Sequence, residues 1–445
     1  MPRVLTSVGL VALLLFEAGC RSAAEPAPKW QVGYWLWDHY GRRPEFEKTS
    51  VDVLYAQAGG ISNGYRNSPF IHGSWPDATP RANEYWAVFR KEVIGIPDGA
   101  SAKAIAYRVV AMRQEMARTG ISLRGVQMDI DSPTASLHDY AIFLRALKAE
   151  LPKGAGLSIT ALLDWFRPGT QIDEVIKEVD EFVPQFYDTG ESYGRYTIGA
   201  PIQPAKWAPQ FNRFGKRYRI GISTFGRTRI QEPARNAGSD AQGLHASWIS
   251  PDTAPRDFAT APGFELDAST NPTGELILRY RAVRKTRVGF RDFPRGSLVE
   301  FVLATEESVK NAVARARQFG GHCAGVVFFR WPTPSETMAL PAEVVLGNAG
   351  KQPVELRVVD RDCAAVHCVE LIVKGLDPWS PTATQFVVES TGEIDYFLPS
   401  DNSPARMAGP SRLEFTVPRY AGVSEIRLGT AVAGAKSNYA LKELH

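Results

Sequence analysis

Cysteine is scarce in this chain, with four in 445 residues, and histidine is little commoner at seven. That excludes a disulfide-built scaffold. The absence of His-Glu-x-x-His removes a common sequence sign of a catalytic metal. Charge of one sign is lacking too: 51 Lys and Arg stand against 48 Asp and Glu, a net +3. No Lys/Arg block stands out, so the sequence gives no electrostatic case for nucleic acid. There is no Gly-x4-Gly-Lys-Ser/Thr phosphate loop and no Gly-x-Gly-x-x-Gly after a strand. Gly221-Ile-Ser-Thr-Phe-Gly226 lacks the spacing of a nucleophile elbow. Neither a cofactor nor an obligatory metal is expected.

What is present is an ordinary globular composition, 44% hydrophobic and 22% charged. It suits two or three domains, or one large barrel with an accessory module. Residues 1–20 read as a targeting segment. Arg3 supplies a positive start, Val8 to Phe16 an apolar run too short to span a bilayer, and Glu17-Ala-Gly-Cys20 follows. Ala18 and Gly19 before Cys20 resemble a bacterial lipoprotein cleavage box, which implies a lipidated Cys20. Glu17 departs from the box, so plain secretion stays open. By the same resemblance, Arg21 favours the outer membrane. Export permits disulfides, and Cys363 and Cys368 are expected to pair, while Cys323 reads as a buried thiol. His367 beside Cys368 raises metal as the rival reading.

Residues 21–29 are a tether. From Trp30, apolar strands alternate with helical segments: Gly33–Trp37, Val51–Ala56, Tyr85–Arg90, Gly125–Asp131, Gly156–Leu163, Phe182–Tyr187, Tyr218–Thr224 and Ala324–Trp331. Amphipathic helices are predicted over Ser101–Thr119, Leu137–Leu151 (with Ser136 as N-cap), Ile172–Val179 and Glu307–Phe319. Eight strands with such helices predict a (β/α)8 TIM-type barrel over residues 30–341; a doubly wound open sheet is the alternative. Residues 63–83 and 226–303 interrupt it as insertions. Both are read as walls of a cleft at the strand carboxyl ends, with Gly226–Gly274 an irregular loop and Leu276–Val283 and Ser297–Leu303 extra strands. Residues 350–445 turn to short strands between Pro/Gly/Ser turns, a small β-sandwich.

Chemistry concentrates on the fourth strand. In Gly125-Val-Gln-Met-Asp-Ile-Asp131, alternation puts Gln127, Asp129 and Asp131 on one face. Two carboxylates two residues apart repel, so one holds its proton to higher pH, as a general acid requires. Other strands carry polar or aromatic residues to the same end: Trp35 and Trp37, Tyr55, Asp164 and Trp165, Gln185, Tyr187 and Asp188, and Arg330-Trp331. Each has a plainer reading. Asp131-Ser-Pro also suits a helix N-terminus, Asp129 an anchor for Arg124 or Arg330, and the tryptophans simple packing.

With Pro184-Gln-Phe-Tyr-Asp188 and Val326-Val-Phe-Phe-Arg-Trp331, the fourth strand resembles the barrel of glycoside hydrolase family 18, the chitinase-like enzymes. The layout from Gly33-Tyr-Trp-Leu-Trp37 to Phe-Phe-Arg-Trp331 also resembles a bacterial lipoprotein family known as a domain of unknown function (number 3142). The first resemblance implies Asp131 as general acid, where that family has Glu, and Asp129 as the residue orienting the substrate. It places Gln127 where the family has an inner Asp. It implies Tyr187 and Asp188 as sugar contacts and Trp331 as the floor under the reacting ring. The expectation is an exported, lipid-anchored barrel acting on an envelope or extracellular polysaccharide. Asp164 or Asp188 would be its second carboxylate, and Gln185, Trp165, Trp37 and Tyr55 would bind sugar. The alternative is an inactive glycan-binding or scaffolding lipoprotein.

Overall fold

Eight apolar segments pair edge to edge until the last meets the first. They are β1 (Gln31–Leu36), β2 (Ser50–Asn63), β3 (Arg81–Lys91), β4 (Leu123–Asp129), β5 (Gly156–Leu162), β6 (Glu181–Gln185), β7 (Arg217–Ser223) and β8 (Cys323–Phe329). All neighbouring pairs are parallel, and β1 lies between β2 and β8, with Gln31 opposite Gly325 and Gly33 opposite Val53. This is a closed TIM-type barrel, as the alternation predicts, and not the open sheet. The computed structural model describes residues 28–37, 46–47, 49–63, 69–91, 95–187, 198–233, 245–248, 254–333, 336–347, 353–363, 367–401 and 403–444. Cys20 with the leader, and Asp188, lie outside them.

Helices α1 (Gly99–Arg118), α2 (Leu137–Glu150), α3 (Ile172–Glu178), α4 (Pro204–Asn212) and α5 (Glu306–Ala316) cover the outside. Asp98 starts α1, its carboxylate accepting from the Ser101 N–H at 2.9 Å. Ser136 occupies the N-cap position of α2 but makes no side-chain cap bond, a correction to its expected role. On each strand the residues of one parity, such as Leu54, Met128, Ile159 and Ile220, pack outward against helix residues such as Ile105, Val109, Leu144 and Leu147. The alternate residues of each strand turn inward. Between β2 and β3 the strand Pro69–His72 folds back antiparallel on β2.

Gly226–Gly274 is not the irregular loop expected. Arg227–Glu232 and Phe264–Thr270 are strands, and with His245–Trp248, Leu276–Ala282 and Leu298–Leu303 they form a five-stranded antiparallel sheet. Ile230, Leu278, Val299 and Phe301 are its core, capped by Phe258 from the short helix Pro255–Ala259. Pro262-Gly263 and Pro272-Thr273-Gly274 are turns on either side of the strand Phe264–Thr270.

Beyond the barrel stand two four-stranded antiparallel sheets. Their eight short strands run from Glu355–Arg361 to Tyr439–Leu444. Leu371, Val388, Leu413, Phe415 and Leu428 fill the space between them. Cys363 and Cys368 are disulfide-bonded, and Cys323 is a buried free thiol. Among the described residues, no cluster of three or more His, Cys, Asp or Glu is placed to hold a metal ion.

Candidate active site

The inward-facing residues lie in layers. At the amino end of the strands is a closed ionic floor. Arg219, fully buried, is ion-paired to Glu181 and lies 3.3 Å from Glu84. Its guanidinium donates to Gln31 Oε1 at 2.6 Å and to the Tyr55 hydroxyl at 2.8 Å. Tyr55 in turn donates to Glu181. Arg217 adds contacts at 3.1 Å to Glu84 and 3.5 Å to Glu181. Burial tends to raise the Glu84 carboxyl, but Arg219, Gln31 and Arg217 outweigh it and hold its pKa below the usual range. Burial alone would lower the Arg219 pKa; Glu181, Tyr55 and Glu84 reverse that and keep it a cation.

Above the floor, large rings plug the shaft. Trp35, Tyr55, Trp86 and Tyr187 pack with Val53, Val88, Val183 and Val327. Glycines make the room: a Cβ at Gly156 would stand 2.7 Å from the Trp86 ring, and one at Gly221 would stand 2.9 Å from Tyr187. Gln127 is fully buried in this layer, accepting from the Trp35 indole N–H at 2.7 Å and donating to the Ser158 hydroxyl at 3.1 Å. It therefore ties β1, β4 and β5 together and does not reach an open cleft.

Asp129 comes two residues higher, at the end of β4. Its side chain is 13% exposed and accepts from the Thr160 hydroxyl of β5 at 2.8 Å. The cation beside it is Arg90 of β3, 4.0 Å away, and not the Arg124 or Arg330 expected as its anchor. Arg330 pairs with Glu336 at 3.0 Å. Burial, and next the charge of Asp131, push the Asp129 carboxyl up to about 6, while Thr160 and Arg90 pull the other way. Thr160→Val is accordingly expected to move this titration higher still, which a pH series of carboxyl NMR shifts would read.

Asp131 follows β4 and is exposed. The next helix begins at Leu137 with Ser136 at its N-cap position, so Asp131 does not cap it. The loop carrying Asp131 is tied from behind: the Trp165 indole N–H donates to the Ser132 carbonyl at 2.9 Å. Trp165 is only 1% exposed, which makes it a brace and corrects its expected place as a sugar contact. Trp331 needs the same correction. It is 1% exposed and turned into the outer core against Tyr34 and Phe46, at ring separations of 5.0 and 5.5 Å. It is no floor for a bound ring. Tyr55 belongs to the buried ionic floor and cannot meet a ligand there. Asp164 sits on a turn after β5 and pairs with Arg167 at 2.6 Å.

Tyr187 stacks on Phe329 at 4.4 Å, with Trp37 edge-on to the same ring at 5.6 Å. Phe329, given no role in the sequence reading, is the ring that joins them. Its inward parity at the end of β8 was the available signal. Gln185 is buried on the inward face of β6 below Tyr187. The structure therefore gathers Asp129, Thr160 and Arg90 at one rim, with Asp131 electrostatically coupled to them.

Among solved structures, the chain is similar to the spore cortex-lytic enzyme SleL of Bacillus cereus, at 13% identity and a TM-score of 0.46, covering 73% of this chain and 75% of that one. It is also similar to a chitinase from Bacillus thuringiensis, at 11% identity and a TM-score of 0.43, covering 93% and 100%. A third is a glycoside hydrolase family 18 chitinase from Cycas revoluta in complex with (GlcNAc)3, at 13% identity and a TM-score of 0.39, covering 67% and 94%. No curated protein gives a significant match. Residues 95–246, which run from just before α1 through β4 and the acid pair into the inserted sheet, match the family described as Domain of unknown function (DUF3142).

Proposed function

We propose that this protein is a glycoside-hydrolase-type enzyme acting on an envelope or extracellular polysaccharide, with Asp129 and Asp131 as its proton-handling pair. The observation that carries the reading is the pair itself. One carboxyl, nearly enclosed at the rim of the barrel, keeps its proton to about pH 6 because it is buried and because a second carboxylate stands next to it. Cleaving a glycosidic bond needs a protonated carboxyl near the leaving oxygen and a second group to support the cationic transition state. Asp129 stores the proton, and Asp131, the exposed member, is the one placed to pass it to a substrate. Trp37, half-buried beside Phe329, offers the rim an aromatic surface. The leader and Cys20 support an exported, lipid-anchored protein.

Purified protein tested against envelope polysaccharides, beside Asp131→Asn and Asp129→Asn, decides the matter. Turnover is expected in the parent and absent in both variants, with a rate falling about tenfold per pH unit above about pH 6 as the acid form disappears. Asp131→Asn should also lower the Asp129 pKa from about 6, since it removes the second cause of the rise. Glycan binding without turnover in any of the three proteins would make the barrel a binding module instead.

A further inference from the structure

The inserted sheet carries a feature that the acid pair does not use. Strands Thr286–Val288 and Arg291–Phe293 form a hairpin of their own, with Val288 opposite Arg291 and only Gly289 and Phe290 between them. Gly289 takes a positive φ of 56°, the conformation a two-residue hairpin turn asks of its first central position. That turn puts Phe290 at the tip with a relative exposure of 101%, so the ring touches essentially nothing in its own fold. At the other end of the hairpin, Phe293 is buried against Phe258 and Phe264, each at 5.5 Å, and pins the base to the sheet.

The flanks are cationic. From 284 to 295 the chain has Arg284, Lys285, Arg287, Arg291 and Arg295 against one acid, Asp292, and all six are exposed. Lys285 is paired with Asp292 at 3.3 Å and Arg291 with Glu232 at 2.8 Å. Arg284, Arg287 and Arg295 enter no ion pair among the described residues. An anchored, convex hairpin therefore presents one apolar ring inside a collar of uncompensated positive charge.

We propose that this hairpin docks the protein on a bilayer surface bearing anionic phospholipid headgroups, Phe290 entering the interface while Arg284, Arg287 and Arg295 meet the phosphates. A basic collar around an apolar ring is the pattern of interfacial attachment, where charge draws the protein to the surface and apolar burial holds it. Charge alone would suit any polyanion. The projecting ring favours a fluid surface, because single-stranded nucleic acid is held in a groove lined with stacking rings and here the ring stands on a convex tip. The inference does not rest on the glycosidase reading.

The test uses the full chain carrying Cys20→Ser, so that no attached lipid contributes, in flotation with vesicles of phosphatidylcholine alone or with about three parts in ten phosphatidylglycerol. Binding is expected only to the second. Phe290→Ser should weaken it by at least about tenfold. The triple change Arg284→Gln, Arg287→Gln, Arg295→Gln should weaken it on the order of 100-fold. Phe290→Trp should preserve it. All of these side chains are exposed, so unfolding midpoints should stay unchanged and report a failure to fold if they do not. Equal binding to both vesicles, or to neither, overturns the proposal. So does anionic-vesicle binding that is indifferent to Phe290→Ser, which would leave a soluble polyanion as the partner.

Discussion

Replacing Arg219 with Met is expected to destabilise the fold by about 3–5 kcal/mol, the usual cost of stranding a buried charge by removing its partner. The arginine side chain has no exposed surface, and that of Glu181 only 3%. Without Arg219, the Glu181 carboxylate keeps the Tyr55 hydroxyl and the more distant Arg217, 3.5 Å away. Arg217 is 33% exposed and cannot replace a guanidinium inside the shaft. Denaturant unfolding gives the number. The double variant Arg219→Met, Glu181→Gln should recover much of the loss, because the uncompensated charge goes with the glutamate. A single-variant loss below about 1 kcal/mol would mean that water reaches the floor after all.

Asp129→Asn works in the opposite direction. The Asp129 carboxyl sits at about 6 in the folded chain against an ordinary 3.8. As pH rises past the ordinary value, the unfolded chain releases this proton first. Between about pH 4 and pH 6 the folded state then binds more protons, and stability falls as pH rises. Above that window the penalty is complete, on the order of 3 kcal/mol for a shift of about two pH units. Asparagine cannot ionise and still offers Thr160 an oxygen to donate to. The variant should therefore be more stable than the parent near pH 7.5 by up to that amount, nearly equal to it near pH 3.5, and inactive at both. Unfolding curves at the two pH values read the difference. A variant that is less stable at neutral pH would show that the site does not strain the parent.

The barrel was legible because its strands are largely apolar and separated by helices of ordinary period; all eight were placed, although β2 runs seven residues past the expected Ala56. The acid pair was legible for a related reason: Asp129 and Asp131 interrupt an apolar run on one parity. Alternation misled where strands end. β8 stops at Phe329 and β5 at Leu162, so neither Trp331 nor Trp165 lies on a strand, and counting by twos no longer says which way each ring points. Both turned into the core. The ionic floor was invisible for a different reason. Glu84, Glu181, Arg217 and Arg219 come from the starts of three strands far apart in sequence, and no local motif links them. The cationic hairpin escaped as well, its charges spread among Thr, Val, Gly and Phe until a turn gathered them. The four helices expected are all present, but α4 went unread, with Pro204 at its start and Pro209 inside it, and at Ser136 residue type alone did not guarantee the cap bond.

Closure of the barrel also sets the order in which this protein can be completed. β1 receives its second neighbour only when Gly325 arrives opposite Gln31. Every helix from α1 to α5 and the whole inserted sheet are synthesised before that seam can be sewn. Until then β1 and β7 each present a bare flank of amides and carbonyls, open to pairing with another chain. A product that stops short of Cys323 would keep both flanks for good and should be recovered as aggregate, not as a smaller folded piece.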